Sequence, residues 1–147
     1  MKKLSALLVL ALALVACGGK EPVITKANYE HKFEGYNGSG SVYVNVELTD
    51  GVISAIEIDE TYGDSTKKAL EYNYFMAATS QAKGVITEND GEWFNQVKFL
   101  EGKLVGTDGK IALDESGYPT ADEIKAGCTI NLATIQEAIT AAIAEAK

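Results

Sequence analysis

Two runs of alternating hydrophobic and polar residues, on either side of Asp50 and Gly51, form the most regular pattern in the chain. From residue 41 to residue 49, valine and leucine occupy every second position, and residues 52–59 carry aliphatic and acidic residues in turn. A period of two is typical of a strand with one buried face, and Asp-Gly between two such strands favours a hairpin turn. We therefore predict a β-hairpin whose acidic side faces water and whose aliphatic side faces the core.

A weaker alternation precedes the hairpin. Tyrosine, histidine and phenylalanine fall on one side of residues 29–36, which predicts a strand at the edge of the sheet. Glycine, asparagine and serine dominate residues 35–40, which predicts a turn. Beyond the hairpin, residues 60–65 break the alternation and predict a loop.

The end of the chain carries the most regular helical pattern. Its apolar residues recur at steps of three and four, as on one face of a helix, and Asn131 just before them is a candidate N-cap. The apolar residues of this face are Leu132, Ile135, Ile139, Ala142, Ile143 and Ala146.

Two further helices are predicted upstream. An amphipathic helix over residues 92–104 has five residues on one face, which are Trp93, Gln96, Val97, Leu100 and Leu104. A short helix is predicted to start at Pro119, with residues 120–123 as its acidic first turn. Residues 105–117 form a long connection in which a short strand is predicted over residues 110–113.

The segment between the hairpin and these helices is mixed in character. Residues 66–79 contain both helix-favouring and strand-favouring residues, so we predict a loop or a short helix, followed by an irregular extended segment. Its aromatic residues Tyr72, Tyr74 and Phe75 are expected to pack in the core, and stacking on a flat ligand is the alternative. Residues 82–90 predict a polar connection.

Strands come first along the chain and helices follow, which is typical of α+β domains. The predicted fold class is α+β, with a small antiparallel sheet built on the hairpin and helices packed on one face. Residues 28–147 are sufficient for one domain with its own core.

The start of the chain has the pattern of an export signal. Two lysines precede an apolar run over residues 4–15, which is too short to span a bilayer stably. Small residues then lead into Cys17, and this box resembles bacterial lipoprotein signals, which implies a diacylglyceryl group on that cysteine. We predict a signal peptide over residues 1–16 and a lipidated flexible tether over residues 17–27. Release of a peptide pheromone from the cleaved signal stays open as a minor alternative.

The charge balance narrows the range of partners. The chain has 21 Asp and Glu residues against 13 Lys and Arg, all of the latter lysine, and a net charge of −8 at pH 7. Nucleic-acid binding needs a basic footprint and is excluded. An acidic chain is not attracted to an anionic membrane surface either, so we expect the protein to contact the membrane through the lipid on Cys17.

The inventory of reactive side chains is small. With Cys17 lipidated, Cys128 is left alone, which excludes a disulfide framework, and His31 is too distant in sequence to suggest a Cys/His metal site. The acidic pairs lack the ligand spacing of calcium loops, and no Ser/His/Asp pattern supports acyl transfer. We expect Cys128 to be a small buried apolar residue, with redox chemistry beside a cofactor as the alternative.

The order of these features resembles the extracytoplasmic FMN-binding domain family over about residues 28–146. The shared features are the export signal, the Asp-Gly hairpin ending in Val-Ile-Ser-Ala-Ile-Glu-Ile, and the Lys-Lys-Ala-Leu-Glu-Tyr-Asn-Tyr-Phe-Met-Ala-Ala-Thr-Ser segment. They continue with Glu-Trp-Phe-Asn-Gln-Val and with a small-residue loop before the last helix. Members of the family occur in membrane redox pumps and as lipoproteins that serve extracellular electron transfer.

The resemblance implies a flavin-attachment loop. In the family this loop reads Asp-x-x-Ser-Gly-Ala-Thr, and a flavin transferase joins the threonine hydroxyl to the phosphate of FMN. Here Gly127 and Thr129 match, whereas Glu123, Ala126 and Cys128 replace the Asp, Ser and Ala. Thr129 is then the attachment residue, and Gly127 would let the backbone approach the phosphate.

The resemblance also places Thr61 and Tyr74 among the cofactor-binding residues. It implies a lipid-anchored electron carrier rather than a stand-alone catalyst, with an unidentified redox partner protein. Read without the resemblance, the same loop fits a simple helix cap. The alternative function is therefore a non-redox lipoprotein that binds a small molecule or a protein on the same fold, with a degenerate flavin site.

Overall fold

A computed structural model describes three parts of the chain: residues 19–35, 38–76 and 83–147. The predicted signal peptide, the lipid acceptor Cys17, the centre of the predicted turn at residues 36–37 and the segment 77–82 lie outside the described residues. Within the described part, no helix is long and apolar enough to cross a bilayer.

The sheet is antiparallel and open, and neighbouring strands follow one another in sequence. Among the described residues its strands are β1 (Ile24–Gly35), β2 (Gly38–Thr49), β3 (Val52–Tyr62) and β4 (Ser65–Thr66). They pair in the order β1-β2-β3-β4, so β1 lies at one edge, as predicted.

The turn between β2 and β3 has the predicted hairpin geometry. Asp50 and Gly51 have φ angles of 53° and 83°. A type I′ turn requires positive φ at both central residues, and Asp-Gly is among the pairs that adopt it most readily. The Asp50 carboxylate also accepts the N–H of Val23 at 2.9 Å, while the Asp50 N–H donates to the Val23 carbonyl at 2.8 Å.

The two faces of the hairpin differ as the alternation predicts. On β2 the inward side chains are 3% exposed or less, and they are Val42, Val44, Val46 and Leu48. The residues between them, Tyr43, Asn45 and Glu47, point to the other face and reach solvent. Burial of one aliphatic face against helices supplies the main driving force for this fold.

Four α-helices follow within the described residues: α1 (Lys67–Leu70), α2 (Trp93–Leu104), α3 (Asp122–Lys125) and α4 (Ala133–Ala146). A short 3₁₀ turn, Glu71–Asn73, continues from α1. Helix α4 packs on β1 and β2, and α2 packs on β3. The helical faces predicted for α2 and α4 are both buried in the core. The fold is therefore the predicted α+β class.

The strands are longer than the alternation indicates. β1 begins at Ile24, inside the predicted tether, because Thr25 and Ala27 continue the inward alternation with small side chains. The loop predicted over residues 60–65 is wrong: β3 runs to Tyr62, and β4 begins at Ser65 after a two-residue turn.

Three local predictions near the C-terminal half are also wrong. Pro119 does not start a helix but forms an isolated bridge with Leu113, and α3 begins at Asp122. The short strand predicted over residues 110–113 is reduced to that bridge. The N-cap of α4 is Leu132 rather than Asn131, although the Asn131 side chain accepts the N–H of Ala133 at 3.0 Å.

The aromatic segment after β4 only partly joins the core. Tyr74 packs against it, but Tyr72 and Phe75 are 61% and 78% exposed. The expectation of core packing is therefore wrong for these two residues. Phe75 also has a φ of 43°, which is uncommon for a residue with a large side chain.

Candidate functional site

The buried amide of Gln96 fixes the loop before α4. Gln96 is 1% exposed on the inner face of α2. Its Oε1 accepts the N–H of Thr129 at 2.8 Å, and its Nε2 donates to the Gly91 carbonyl. Both ends of the amide are therefore satisfied, as a buried polar group requires. Through this side chain, α2 sets the position of Thr129.

A second set of hydrogen bonds ties the same loop to residues 87–89. The Ala126 carbonyl accepts the N–H groups of Thr87 and Glu88 at 2.8 Å and 3.1 Å. The Asn89 side chain donates to the Gly127 carbonyl at 2.8 Å. The loop is thus built into the domain by contacts to residues some 40 positions earlier in the chain.

Gly127 and Cys128 are both buried in the interior. A Cβ at residue 127 would lie 2.5 Å from Cδ1 of Phe99, closer than side chains approach one another, so the packing of this ring requires glycine. Cys128 is fully buried, and burial raises the pKa of its thiol to about 12, against a smaller lowering by the Ile130 backbone. A thiol with this pKa is almost entirely protonated at neutral pH and is a poor nucleophile.

Thr129 lies at the wall of a groove of about 490 Å³. The groove runs between the end of the sheet and the first turn of α4, which contributes Thr134 and Ile135. Tyr74 and Trp93 contribute aromatic surface to the same groove. Its size is within the range of small-molecule and cofactor sites.

Among the described residues that line this groove, two side chains are charged, and they are paired with each other. Lys67 Nζ lies 2.7 Å from Glu60 Oε1, and their side chains are 12% and 18% exposed. The same Nζ lies 5.1 Å from the ring centroids of both Tyr74 and Trp93. These distances are typical of cation–π contacts, so the lysine is held between two rings and a carboxylate.

A second, larger groove of about 1050 Å³ adjoins the first and shares four residues with it: Phe33, Glu60, Lys67 and Tyr74. Thr61 lines it, and its hydroxyl oxygen accepts the Ser41 N–H at 2.9 Å. The Ser41 hydroxyl in turn donates to Glu30 at 2.6 Å. The two grooves form a cleft at the end of the sheet where β1 and β3 terminate, which we call the distal cleft.

The structure distributes the residues predicted from the sequence over different environments. Thr129 and Tyr74 line the smaller groove, and Thr61 and Tyr74 line the larger one. Gly127 and Cys128 are interior, as described above. Ala126 is half-buried, whereas Glu123 is exposed on α3, and neither lines a groove.

Three residues of the cleft region were not singled out from the sequence. Gln96 was placed on an apolar helical face, and a polar side chain at such a position is the signal that could have revealed its role. Nothing in the local sequence pattern indicated that Lys67 and Glu60 would pair. Glu60 lay in the loop predicted over residues 60–65, and Lys67 lay in the segment of mixed character that follows it. Within the described residues, no group of three His, Cys, Asp or Glu side chains is arranged to bind a metal ion.

Comparison of the chain with protein-family models, with curated proteins and with solved structures gave no match.

Proposed function

We propose that this protein is a lipid-anchored, extracytoplasmic FMN-binding electron carrier, with Thr129 as the residue that carries the flavin. One observation above all supports the proposal. Of loop residues 126–129, Thr129 alone lines the groove, so it is the residue of the loop best placed for contact with a ligand.

The first turn of α4 would serve the phosphate. N–H groups in the first turn of a helix lack intrahelical partners and carry partial positive charge, which favours a phosphate group. Thr134 and Ile135 in this turn line the same groove as Thr129. A phosphodiester on Thr129 would therefore remain close to donors that stabilise its charge.

The opposite part of the groove suits an aromatic ring system. Tyr74 and Trp93 offer apolar surface, and Lys67 is the cation between them. When bound, FMN would supply the redox chemistry, and the chain would supply position and electrostatics. The volume of the groove and its aromatic residues support a flavin mononucleotide as the ligand.

The test is flavinylation in the full-length protein. After co-expression with a flavin transferase, a denaturing gel should show a fluorescent band that is lost in Thr129→Ala. Thr140→Ala is the matched control, because Thr140 is exposed on α4 and its hydroxyl donates to the Gln136 carbonyl in the same helix. A missing band, or a band that survives Thr129→Ala, would contradict covalent attachment.

The second candidate is a non-redox binding lipoprotein on the same fold. The larger groove supports it, because about 1050 Å³ exceeds what one mononucleotide needs. Thermal unfolding with and without free FMN separates the two functions. A ligand that binds the folded state raises the Tm, so no shift at FMN concentrations far above micromolar would favour the second candidate.

The lipid anchor is tested separately by mass. The intact protein extracted from membranes should carry the mass of a lipid on Cys17 and lack residues 1–16. A full-length polypeptide with a free Cys17 would contradict the anchor without bearing on the flavin.

A further inference from the structure

Most of the exposed aliphatic side chains among the described residues lie at one end of the domain. Within residues 19–35, 38–76 and 83–147, five valine or isoleucine side chains are more than 40% exposed. Four of them, Val23, Ile24, Val52 and Val105, lie around the β2–β3 turn, and Val85 lies elsewhere. We call these four residues the proximal pole. Single exposed aliphatic residues are common on protein surfaces, but a group of them at one end calls for an explanation.

Hydrogen bonds bring three chain segments together at the proximal pole. Val23 is tied to Asp50 by the two hydrogen bonds described above, and Ile24 pairs with Thr49. Thr49 also pairs with Val52 across the hairpin. The third segment is the turn after α2, in which the Gly106 N–H donates to the Ile53 carbonyl at 2.8 Å and the Thr107 carbonyl accepts the Ile53 N–H at 3.0 Å. This pairing places Val105 beside the start of β3.

The chain leaves the described domain at this same end. Cys17 precedes Val23 by six residues. Six residues span at most about 21 Å even when fully extended. A lipid on Cys17 would therefore hold the proximal pole within about 21 Å of the bilayer surface. The other end of β1 lies about 36 Å further along the strand, at roughly 3.3 Å per residue.

We propose that the proximal pole is a membrane-contact surface, which rests on the bilayer into which the lipid of Cys17 inserts. This inference rests on the lipid anchor of the proposed function. The contact is apolar rather than electrostatic, since the chain has a net charge of −8 and no arginine. A few aliphatic side chains bind a bilayer weakly alone, but the anchor keeps them at high local concentration, so their effect is to orient the domain.

The orientation has a direct result for the distal cleft. β1 starts at the proximal pole with Ile24, and Phe33 near its other end lines both grooves. With the pole on the bilayer, the cleft faces away from the membrane. A partner would then reach the cleft from the aqueous side and not from within the lipid.

The test uses the full-length lipoprotein in phosphatidylcholine vesicles. A fluorophore is attached at Val52→Cys in one variant and at Asp64→Cys in another, because Asp64 is exposed in the turn after β3 next to the cleft. The native Cys128 is buried and does not compete for the label. The fluorescence is compared between vesicles that contain a lipid with a nitroxide quencher near the headgroup and vesicles that lack this lipid. Quenching should be several-fold stronger at position 52 than at position 64.

A second variant set tests the side chains themselves. The triple substitution Val23→Ser, Ile24→Ser and Val105→Ser should reduce the quenching at position 52 several-fold, while the protein still floats with the vesicles. Equal quenching at positions 52 and 64 would overturn the proposal of a membrane-contact surface. Quenching that the triple serine variant leaves unchanged would overturn it as well. Failure to float with the vesicles would overturn the lipid anchor, and the surface with it.

Discussion

The ring of Phe99 lies flat against the backbone of Gly127, where a Cβ would be only 2.5 Å from Cδ1 of the ring. This contact joins α2 to the loop that carries Thr129. It also explains the glycine of the loop from packing inside the chain, without any ligand. The first prediction follows from this contact.

Gly127→Ala should lower the free energy of unfolding by about 1–3 kcal/mol, because the added methyl group forces the partly buried Phe99 ring to move away from the core against which it packs. Urea denaturation measures the change. Gly102→Ala is the matched control, since Gly102 lies in α2 with open space around its Cα. The control should raise stability by roughly 0.5–1 kcal/mol, as alanine is the better helix former. An unchanged midpoint for Gly127→Ala would contradict the tight packing.

Gln96→Leu should cost about 2–4 kcal/mol, since it removes the acceptor of the Thr129 N–H and the buried donor to the Gly91 carbonyl. Lys98→Leu on the exposed side of the same helix should stay within about 0.5 kcal/mol of the wild type. Equal effects of the two substitutions in a urea titration would show that the amide does not fix the loop.

Lys67→Met should destabilise the domain more than the double variant Lys67→Met/Glu60→Leu. The single substitution leaves the Glu60 carboxylate partly buried without its cation, whereas the double substitution removes both charges. A double-mutant cycle should give a coupling of about 1–2 kcal/mol. If the effects of the two single substitutions simply add up in the double variant, Lys67 and Glu60 do not stabilise the domain by their contact with each other.

The Cys128 thiol should react with a disulfide reagent far more slowly in the native protein than in urea. Burial raises its pKa to about 12 from the usual value of 9.0. At pH 8 the thiolate fraction therefore falls roughly 1000-fold on folding, and the thiolate is the reactive form. A full-length Cys17→Ser variant makes Cys128 the only thiol. Rapid native labelling would reopen a redox role for this residue.

Asp90 should make the domain sensitive to acid. Its carboxylate accepts hydrogen bonds from the Asn95 side chain, the Glu92 N–H and the Tyr72 hydroxyl. These bonds, with Asn95 the largest cause, hold the pKa of Asp90 below its usual value of 3.8. A lowered folded-state pKa contributes stability above the unfolded-state value and loses it as the pH falls.

Asp90→Asn should therefore flatten the loss of stability below about pH 5. Thermal unfolding between about pH 2 and pH 7 measures the effect. Tyr72→Phe removes one of the three hydrogen bonds and should give an intermediate slope. Parallel curves for the wild type and Asp90→Asn would show that this carboxylate does not contribute to the acid dependence.

The regular parts of the fold were predictable because their signals are local. The hairpin and the two long helices repeat their hydrophobic pattern over many residues, and the Asp50-Gly51 turn is specified by two adjacent residues. The start of β1 was missed because Thr25 and Ala27 are small, although they point inward. The end of β3 was missed because Glu60 is partly buried only by virtue of Lys67, a residue from a later element.

The site was less predictable because it is made by contacts between distant segments. Thr129 could be singled out from its loop, but the residue that holds its backbone is Gln96, 33 positions earlier. The reason for Gly127 lies in Phe99 on another helix. Such pairings depend on how helices dock on the sheet, which no local periodicity encodes.

The packing of α4 on β1 has a consequence for when the protein can fold. Helix α4 lies about 100 residues after β1 in the sequence and covers that strand, so this part of the core cannot close before α4 has been made. Contacts between the two ends of a chain also form late and slowly, since a long loop must close first. We therefore expect the core between β1 and α4 to close only after α4 has been synthesised. That delay suits the proposed export, because the chain can pass through a narrow membrane channel before it folds on the other side.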